Sequence, residues 1–340
     1  MKIKLVPLAA LLVLLAACSG GRSTTLPEQD WSSFAPLRAA GTTAPSPSVP
    51  PPAAVAANEL GLVPVLMYHR IVDPPKSVYD RSPADFRAEL ERLARENYVP
   101  VTAAEFTAGT IDIPAGTHPV VLTFDDGDPS QFALDAAGNP VSTTAVGILL
   151  DVAREHPAFR PVATLYVNQT PFGDPGGHKT LPWLQAHGFD VGNHTLTHAN
   201  LKQDSADEVT TEIAGNDREI RAAGPGLAPV TIALPFGVHP RQEDQALKGP
   251  GYDYRGAFLV GSNPSPSPYA AKFDPLNIPR IRSEAATGEE AEYGSTVWLD
   301  KLAADPGSRY TSDGDPAHVS YPKSANGKVA PAYLSRVNPY

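Results

Sequence analysis

Cysteine is almost absent from this chain of 340 residues: its one example, Cys18, sits at the end of an apolar N-terminal run. With no partner for it, no disulfide can form, and the fold must stand on its core alone. Basic charge is also short, 27 Lys and Arg against 37 Asp and Glu, a formal net charge of −10. That balance offers no basic patch, so nucleic acid and other polyanions are excluded as expected partners. A membrane-length apolar run is lacking too. The stretch Leu5 to Ala17 falls short of the roughly 20 residues that cross a bilayer. Nor is there an internal repeat.

What is present begins with an export signature. Lys2 and Lys4 precede the apolar run, which closes on Leu15-Ala16-Ala17-Cys18. That ending resembles a lipobox, where a signal peptidase cuts before the cysteine and a lipid joins its sulfur. The expectation is a signal peptide over 1–17, a lipidated Cys18, and a protein held to a membrane and facing the cell exterior or periplasm. Removing Lys2 and Lys4 leaves 25 basic residues against 37 acidic, a net −12. Prolines number 37, about twice the usual share. Many fall in residues 18–58, where Thr43-Ala44-Pro45-Ser46-Pro47-Ser48-Val49-Pro50-Pro51-Pro52 reads as an extended, solvated tether.

The folded part begins near Leu60, and a length of this order suits one large α/β domain or two ordinary ones. Residues 63–68 read as a buried strand ending at His69. Ser82-Pro83-Ala84-Asp85 opens a helix, with serine at the cap and proline at the first helical position. Val120-Val121-Leu122-Thr123-Phe124 is a continuous apolar strand, as expected when both sheet faces are covered. Helices over 147–154, 181–187, 206–223 and 242–248 then alternate with strands over 162–167, 189–191, 230–234, 256–260 and 278–282. Repeated βα units predict a parallel sheet, open or closed into a barrel. Residues 128–140 read as an inserted surface loop, and 286–340 as an irregular C-terminal extension.

Two short motifs carry chemistry. Asp125 and Asp126 follow the strand ending at Phe124, and His194 and His198 follow the strand 189–191. Functional groups of parallel α/β folds collect at such strand ends. On a helical turn, positions i and i+4 share a face, so both imidazoles can reach one metal. With Asp126 as third ligand the set is His₂Asp, the composition of a catalytic zinc site that keeps positions open, and Asp125 is left free as a base. Zinc is the expected metal, with cobalt or nickel also compatible with these donors.

Thr123-Phe124-Asp125-Asp126-Gly127 and His194-Thr195-Leu196-Thr197-His198 resemble the first two motifs of the polysaccharide deacetylase family, the NodB homology domain of carbohydrate esterase family 4. The resemblance covers about residues 60–282 and implies a distorted (β/α) barrel of about seven parallel strands, with 59–285 as a single catalytic domain. It further implies metal-dependent removal of acetyl groups from sugars, with Asp125 as base and Asp126, His194 and His198 as ligands. The family's third motif is commonly Arg-x-Pro-Tyr-Gly, whereas this chain has Ala233-Leu234-Pro235-Phe236-Gly237, without the arginine. Pro235 and Gly237 would still shape the groove, the Phe236 N–H would serve the oxyanion, and Arg280 or Arg282 would stand in to orient Asp125. The usual C-terminal Leu-x-His is absent. Leu66-Met67-Tyr68-His69 resembles a permuted branch in which the acid histidine lies on the N-terminal strand, making His69 the candidate acid.

Tyr68, Trp183 and Trp298 are candidate sugar platforms, Tyr68 being grouped with the substrate residues. The expected substrate is an acetylated polysaccharide of the N-acetylglucosamine type, at a cell surface or outside the cell, and the chain is expected to act as a monomer. Two alternatives stand beside this reading. One is a glycan-binding lipoprotein that keeps the metal site without the chemistry. The other is a related hydrolase acting on a non-sugar amide or ester.

Overall fold

A mostly apolar run goes to the middle of a sheet, and His118–Phe124 does: all seven of its residues are buried, the polar His118 and Thr123 included. The computed structural model describes residues 49–288, 290–325 and 327–340. The expected signal peptide, Cys18 and most of the tether lie outside the described residues. Ala57 and Asn58, read as the end of the tether, are already buried.

Eight strands make the main sheet: β1 (Val65–Tyr68), β2 (Tyr98–Val101), β3 (His118–Phe124), β4 (Thr164–Val167), β5 (Asp190–Asn193), β6 (Thr231–Ala233), β7 (Gly256–Phe258) and β8 (Ile281–Arg282). Their order is β7-β6-β5-β4-β3-β1-β8, with β2 as a branch on β3, and every pairing is parallel. Seven strands therefore follow one path around a distorted barrel. The stretch from Ile278 to Arg282 links its two ends. Ile278 exchanges hydrogen bonds with Ala257 and Leu259 on the β7 side, while Ile281 and Arg282 pair with Leu66 and Met67 of β1.

Among the described residues six α-helices accompany the strands: α1 (Pro83–Arg95), α2 (Ala103–Ala108), α3 (Ala145–Glu155), α4 (Thr180–Ala186), α5 (Ala206–Ala223) and α6 (Ser295–Ala304). Their starts are written in the sequence. The hydroxyls of Ser82, Thr102, Thr144 and Ser205 each cap an N-terminus, and at Thr102 and Ser205 the glutamate three residues on completes a capping box. Each cap adds about 1 kcal/mol and fixes where the chain leaves the sheet.

Four expectations need correction. β2 and α2 were not anticipated. Pro100 inside Tyr98-Val99-Pro100-Val101 argues against a strand, and it is tolerated because β2 pairs only with β3. The segment 242–248 holds a single 3₁₀ turn, Glu243–Ala246. The loop 128–140 is not wholly on the surface: Gln131 and Phe132 are fully buried, and Phe132 packs on Phe172 and Trp183.

Residues 286–340 are likewise not irregular throughout. They contain α6 and the parallel pair β9 (Val319–Tyr321) and β10 (Val337–Pro339). Tyr310 and Val319 are fully buried in the core cluster that also holds Val65, Val101, Val121 and Phe258. The Tyr310 N–H donates to the Leu62 carbonyl at 3.0 Å, and the Asn58 N–H to the Thr311 carbonyl at 2.9 Å. Turn-forming residues dominate this segment, so its few buried aromatics carry the packing that its pattern conceals.

Candidate active site

The sheet brings its chemistry to the ends of β1, β3, β5 and β6. Asp125 and Asp126 leave β3, His194 leaves β5, and the turn Pro235–Gly237 leaves β6. His194 and His198 are not on a helix, as their spacing had suggested. They lie in a loop in which Thr195 and His198 take positive φ of 62° and 60°. Those two left-handed residues turn the imidazoles toward each other, with ring centroids 5.0 Å apart. Asp126 (φ 77°) and Phe236 (φ 59°) share this conformation. Non-glycine residues hold it only where their surroundings impose it, and four of them meet at this site.

The surroundings that impose it are visible. Asn193, fully buried, accepts from the Thr195 N–H at 2.7 Å and donates to the Ile213 carbonyl and the Tyr254 hydroxyl. Asn168 donates to the carbonyls of His194 and Thr195 at 2.6 and 2.8 Å. The Glu212 carboxylate of α5 takes the N–H and hydroxyl of Thr197, each at 2.8 Å.

Asp126, His194 and His198 offer three donor atoms within 4.8 Å of one another. The His194 Nδ1 donates to the Ala233 carbonyl at 2.8 Å, which leaves a lone pair on Nε2, and that buried nitrogen has no hydrogen-bond partner. Asp126 Oδ1 lies 3.3 Å from His194 Nε2 and 3.4 Å from His198 Nε2. Ligands about 2.0–2.1 Å from a tetrahedral ion are spaced by about 3.3 Å, so the donors stand where a metal needs them. These residues fit a divalent ion.

Asp125 faces the other way. Its carboxylate is buried and takes both arms of the Arg280 guanidinium, at 2.6 and 2.7 Å. Arg280 is itself fully buried, and its remaining donors reach Thr123 Oγ1 and the Leu259 carbonyl. Burial pushes the Asp125 carboxyl up. The guanidinium, with His194 and His69 adding to it, outweighs this and holds it well below the usual carboxylate range. Arg282, the other arginine considered, does not reach Asp125; it pairs with Glu284 and Glu290.

His69 Nε2 is 4.0 Å from Asp125 Oδ2, and burial lowers the imidazole below its ordinary value against the pull of both aspartates. Gln131, which the sequence reading missed, donates to the carbonyls of His69 and Asp125 and so fastens the ends of β1 and β3 together. Tyr79 is a second omission, its ring 4.9 Å from the His69 imidazole. Phe236 stands 59 % exposed over His198, centroids 4.7 Å apart.

The tyrosine assigned to substrate does not face the site. Tyr68 is buried, with Phe86 and Phe124 against its ring and its hydroxyl donating to Glu89 at 2.7 Å. Strand alternation explains it: His69 points into the site, so its neighbour points away. Trp183 stacks on His187 and leans on Phe132, while the Trp298 indole N–H donates to the Ser262 carbonyl at 2.7 Å.

Residues 112–255 match a family model described as polysaccharide deacetylase. Among curated proteins the chain is similar to the chitooligosaccharide deacetylase of Bradyrhizobium sp. (strain ANU 289), 32 % identical over 143 residues, or 42 % of this chain and 55 % of that one. A chitooligosaccharide deacetylase of Sinorhizobium fredii is 33 % identical over 125 residues, 36 % of this chain and 49 % of that one. The match thus spans about half the length of these relatives. Among solved structures, the Streptococcus pyogenes deacetylase PplD, crystallised with acetate, shares the fold with a TM-score of 0.50 at 22 % identity, covering 65 % of this chain and 92 % of that one. Asp125, Asp126, His194, His198 and the turn 235–237 fall within the matched residues; His69 and Arg280 fall outside them.

Proposed function

We propose, for a chain that belongs to the polysaccharide deacetylase family through its residues 112–255, the metal-dependent hydrolysis of acetyl groups on a polysaccharide of the N-acetylglucosamine type. One observation carries this reading: three metal-compatible donors at the strand ends, with a second carboxylate beside them that is held by a buried arginine. A divalent ion on Asp126, His194 and His198, for which zinc suits the donors best, would supply polarisation of the acetyl carbonyl and a water acidified toward neutrality. Asp125, fixed in one orientation by Arg280, takes the proton of the attacking water. The Phe236 N–H, presented by the left-handed turn after Pro235, stabilises the oxyanion. His69, within reach of Asp125 at the same edge, gives a proton to the departing amine.

The lipobox-like ending at Cys18 and the proline-rich stretch after it support export, lipid attachment and a working position some way out from a membrane, at a cell-surface or extracellular polymer. The excess of acidic residues favours a neutral polymer over a polyanion. We take the acting unit to be a monomer. Arg280, just before β8, favours a working enzyme over a glycan-binding protein, because a binder has no need of a carboxylate clamped by arginine.

The test is acetate release by the zinc-loaded protein from N-acetylchitooligosaccharides, peptidoglycan and acetylated xylan. Release that a chelator abolishes and added zinc restores is the expected result. Absence of release from every substrate, with one zinc bound per chain, would contradict the reading.

A further inference from the structure

A cavity of about 230 Å³ is lined by residues that neighbour the site, though no catalytic group is among its walls. Tyr79, Val260, Arg282, Glu284, Glu290 and Tyr293 are among its walls. Two of its wall residues touch the site. Tyr79 packs on His69. Val260 lies against Gly237 so closely that a Cβ there would meet the Val260 nitrogen at 2.7 Å.

Large apolar side chains left in water mark surfaces that bind something when they cluster. Seven are exposed among the described residues, and three of them, Tyr79, Val260 and Tyr293, line this one cavity. A fourth, Phe236, stands over His198 and precedes Gly237, the residue against which Val260 packs. Interleaved with the rings are fixed charges. Arg282 is held by Glu284 at 2.7 Å and Glu290 at 3.3 Å, with its guanidinium 5.6 Å from the centre of the Tyr79 ring. The Trp298 indole, from α6, donates to the carbonyl of Ser262, another of the lining residues. All of these cavity residues lie outside 112–255, so the feature comes from parts of the chain that the family match does not reach.

We propose that this cavity is a sugar subsite, taking the unit of the substrate chain next to the one that loses its acetyl group. The proposal rests on the deacetylase reading and adds to it a requirement for a chain of sugars. A pyranose ring has an apolar C–H face and a polar rim. Tyr79 and Tyr293 offer flat apolar surface for the face, and Arg282, Glu284 and Glu290 offer a donor and acceptors for the rim. The volume lies below the roughly 300–1,000 Å³ of sites that enclose a drug-sized molecule, and it suits one ring. Two carboxylates against one guanidinium favour a neutral or amine-bearing sugar over a uronic acid.

The experiment compares wild type with Tyr293→Ala, Tyr293 being 49 % exposed. Turnover is measured on N-acetylchitotetraose and on 4-nitrophenyl acetate, which is too small to fill the subsite. Binding of the tetramer to zinc-loaded Asp125→Asn protein, with and without Tyr293→Ala, is measured by calorimetry. The ratio of kcat/KM for the tetramer to that for the ester should fall about tenfold through KM, and the tetramer Kd should rise by a similar factor. Tyr293→Leu, which keeps bulk without a flat ring, should fall between, and it serves if the alanine protein does not fold. Ratio and Kd unchanged in folded variants, or no tetramer binding to the Asp125→Asn protein, would overturn the subsite. Failure of the wild type to release acetate from any substrate would instead strike at the deacetylase reading, since the binding arm does not depend on turnover.

Discussion

Asp125 sits where burial alone would keep a carboxyl protonated, and it is ionised because Arg280 is beside it. Removing one member of such a buried pair leaves the other without compensation, which costs about 3–5 kcal/mol. Arg280→Met should therefore destabilise the protein by that amount in chemical unfolding. It should also cut turnover at least a hundredfold, as expected when a base loses its orientation. Arg280→Lys keeps the charge but not the two-armed grip, and should lose less stability than Arg280→Met. The candidate ligand residues were legible from the sequence because each pair occupies one short motif at a strand end. Arg280 was legible only as one of two. Residues two apart in a strand share a face, so pattern alone cannot separate Arg280 from Arg282. The structure separates them because the chain changes partner there, from β7 at Ile278 to β1 at Ile281. Gln131 and Tyr79 had no signal of this kind, being single residues in loops.

At the scale of elements, the loop after β5 is held in shape from beneath. Asn193 and Asn216 are fully buried, and Asn216 ties the β4 end to Asn193 through hydrogen bonds of 2.7 Å to the Val167 carbonyl and 3.1 Å to Asn193 Oδ1. Asn193→Ala would leave the buried Thr195 N–H without its partner, at about 1–3 kcal/mol, and would take from Asn216 one of its two acceptors. Because that loop presents both histidines, zinc affinity should drop about 10- to 100-fold, the usual effect of removing a support behind a ligand. Competition with a chelator of known affinity would measure it, and an unchanged affinity would mean the loop keeps its shape without Asn193. Strand and helix alternation made the barrel readable in advance. The positive φ values at Asp126, Thr195, His198 and Phe236 were not, since none of these residues is glycine and the conformation comes from tertiary contacts. The capping box at Thr102 and Glu105 was present in the sequence and would have revealed α2.

The molecule as a whole is tied together by a buried acid far from the active site. Glu59 accepts from the Tyr310 hydroxyl at 3.0 Å and the Ser320 N–H at 2.8 Å, joining the start of the folded part to its C-terminal segment. Burial, with the Asp313 carboxylate adding to it, raises its pKa from 4.5 to about 8. The unfolded chain releases that proton near pH 4.5 and the folded chain near pH 8, so between these values the folded state holds the extra proton. The stability linked to Glu59 is fully present below pH 4.5 and is lost as pH rises through 8. Glu59→Gln, which has no proton to lose, should flatten the dependence of Tm on pH across that window in thermal unfolding of the whole protein. A slope equal to that of the wild type would place the pH sensitivity elsewhere. The docking of residues 291–340 was hidden from the sequence because it depends on a few buried groups such as Tyr310 and Val319 within turn-rich surroundings.

The most direct test of the account is to compare wild type and Asp125→Asn side by side, measuring bound zinc by elemental analysis and acetate released from N-acetylchitotetraose. In the proposed site the ligand atoms belong to Asp126, His194 and His198, and Asp125, which is not among them, is the base. The account therefore predicts equal zinc content and at least a hundredfold less acetate from the variant. Equal acetate release by the two proteins would contradict it.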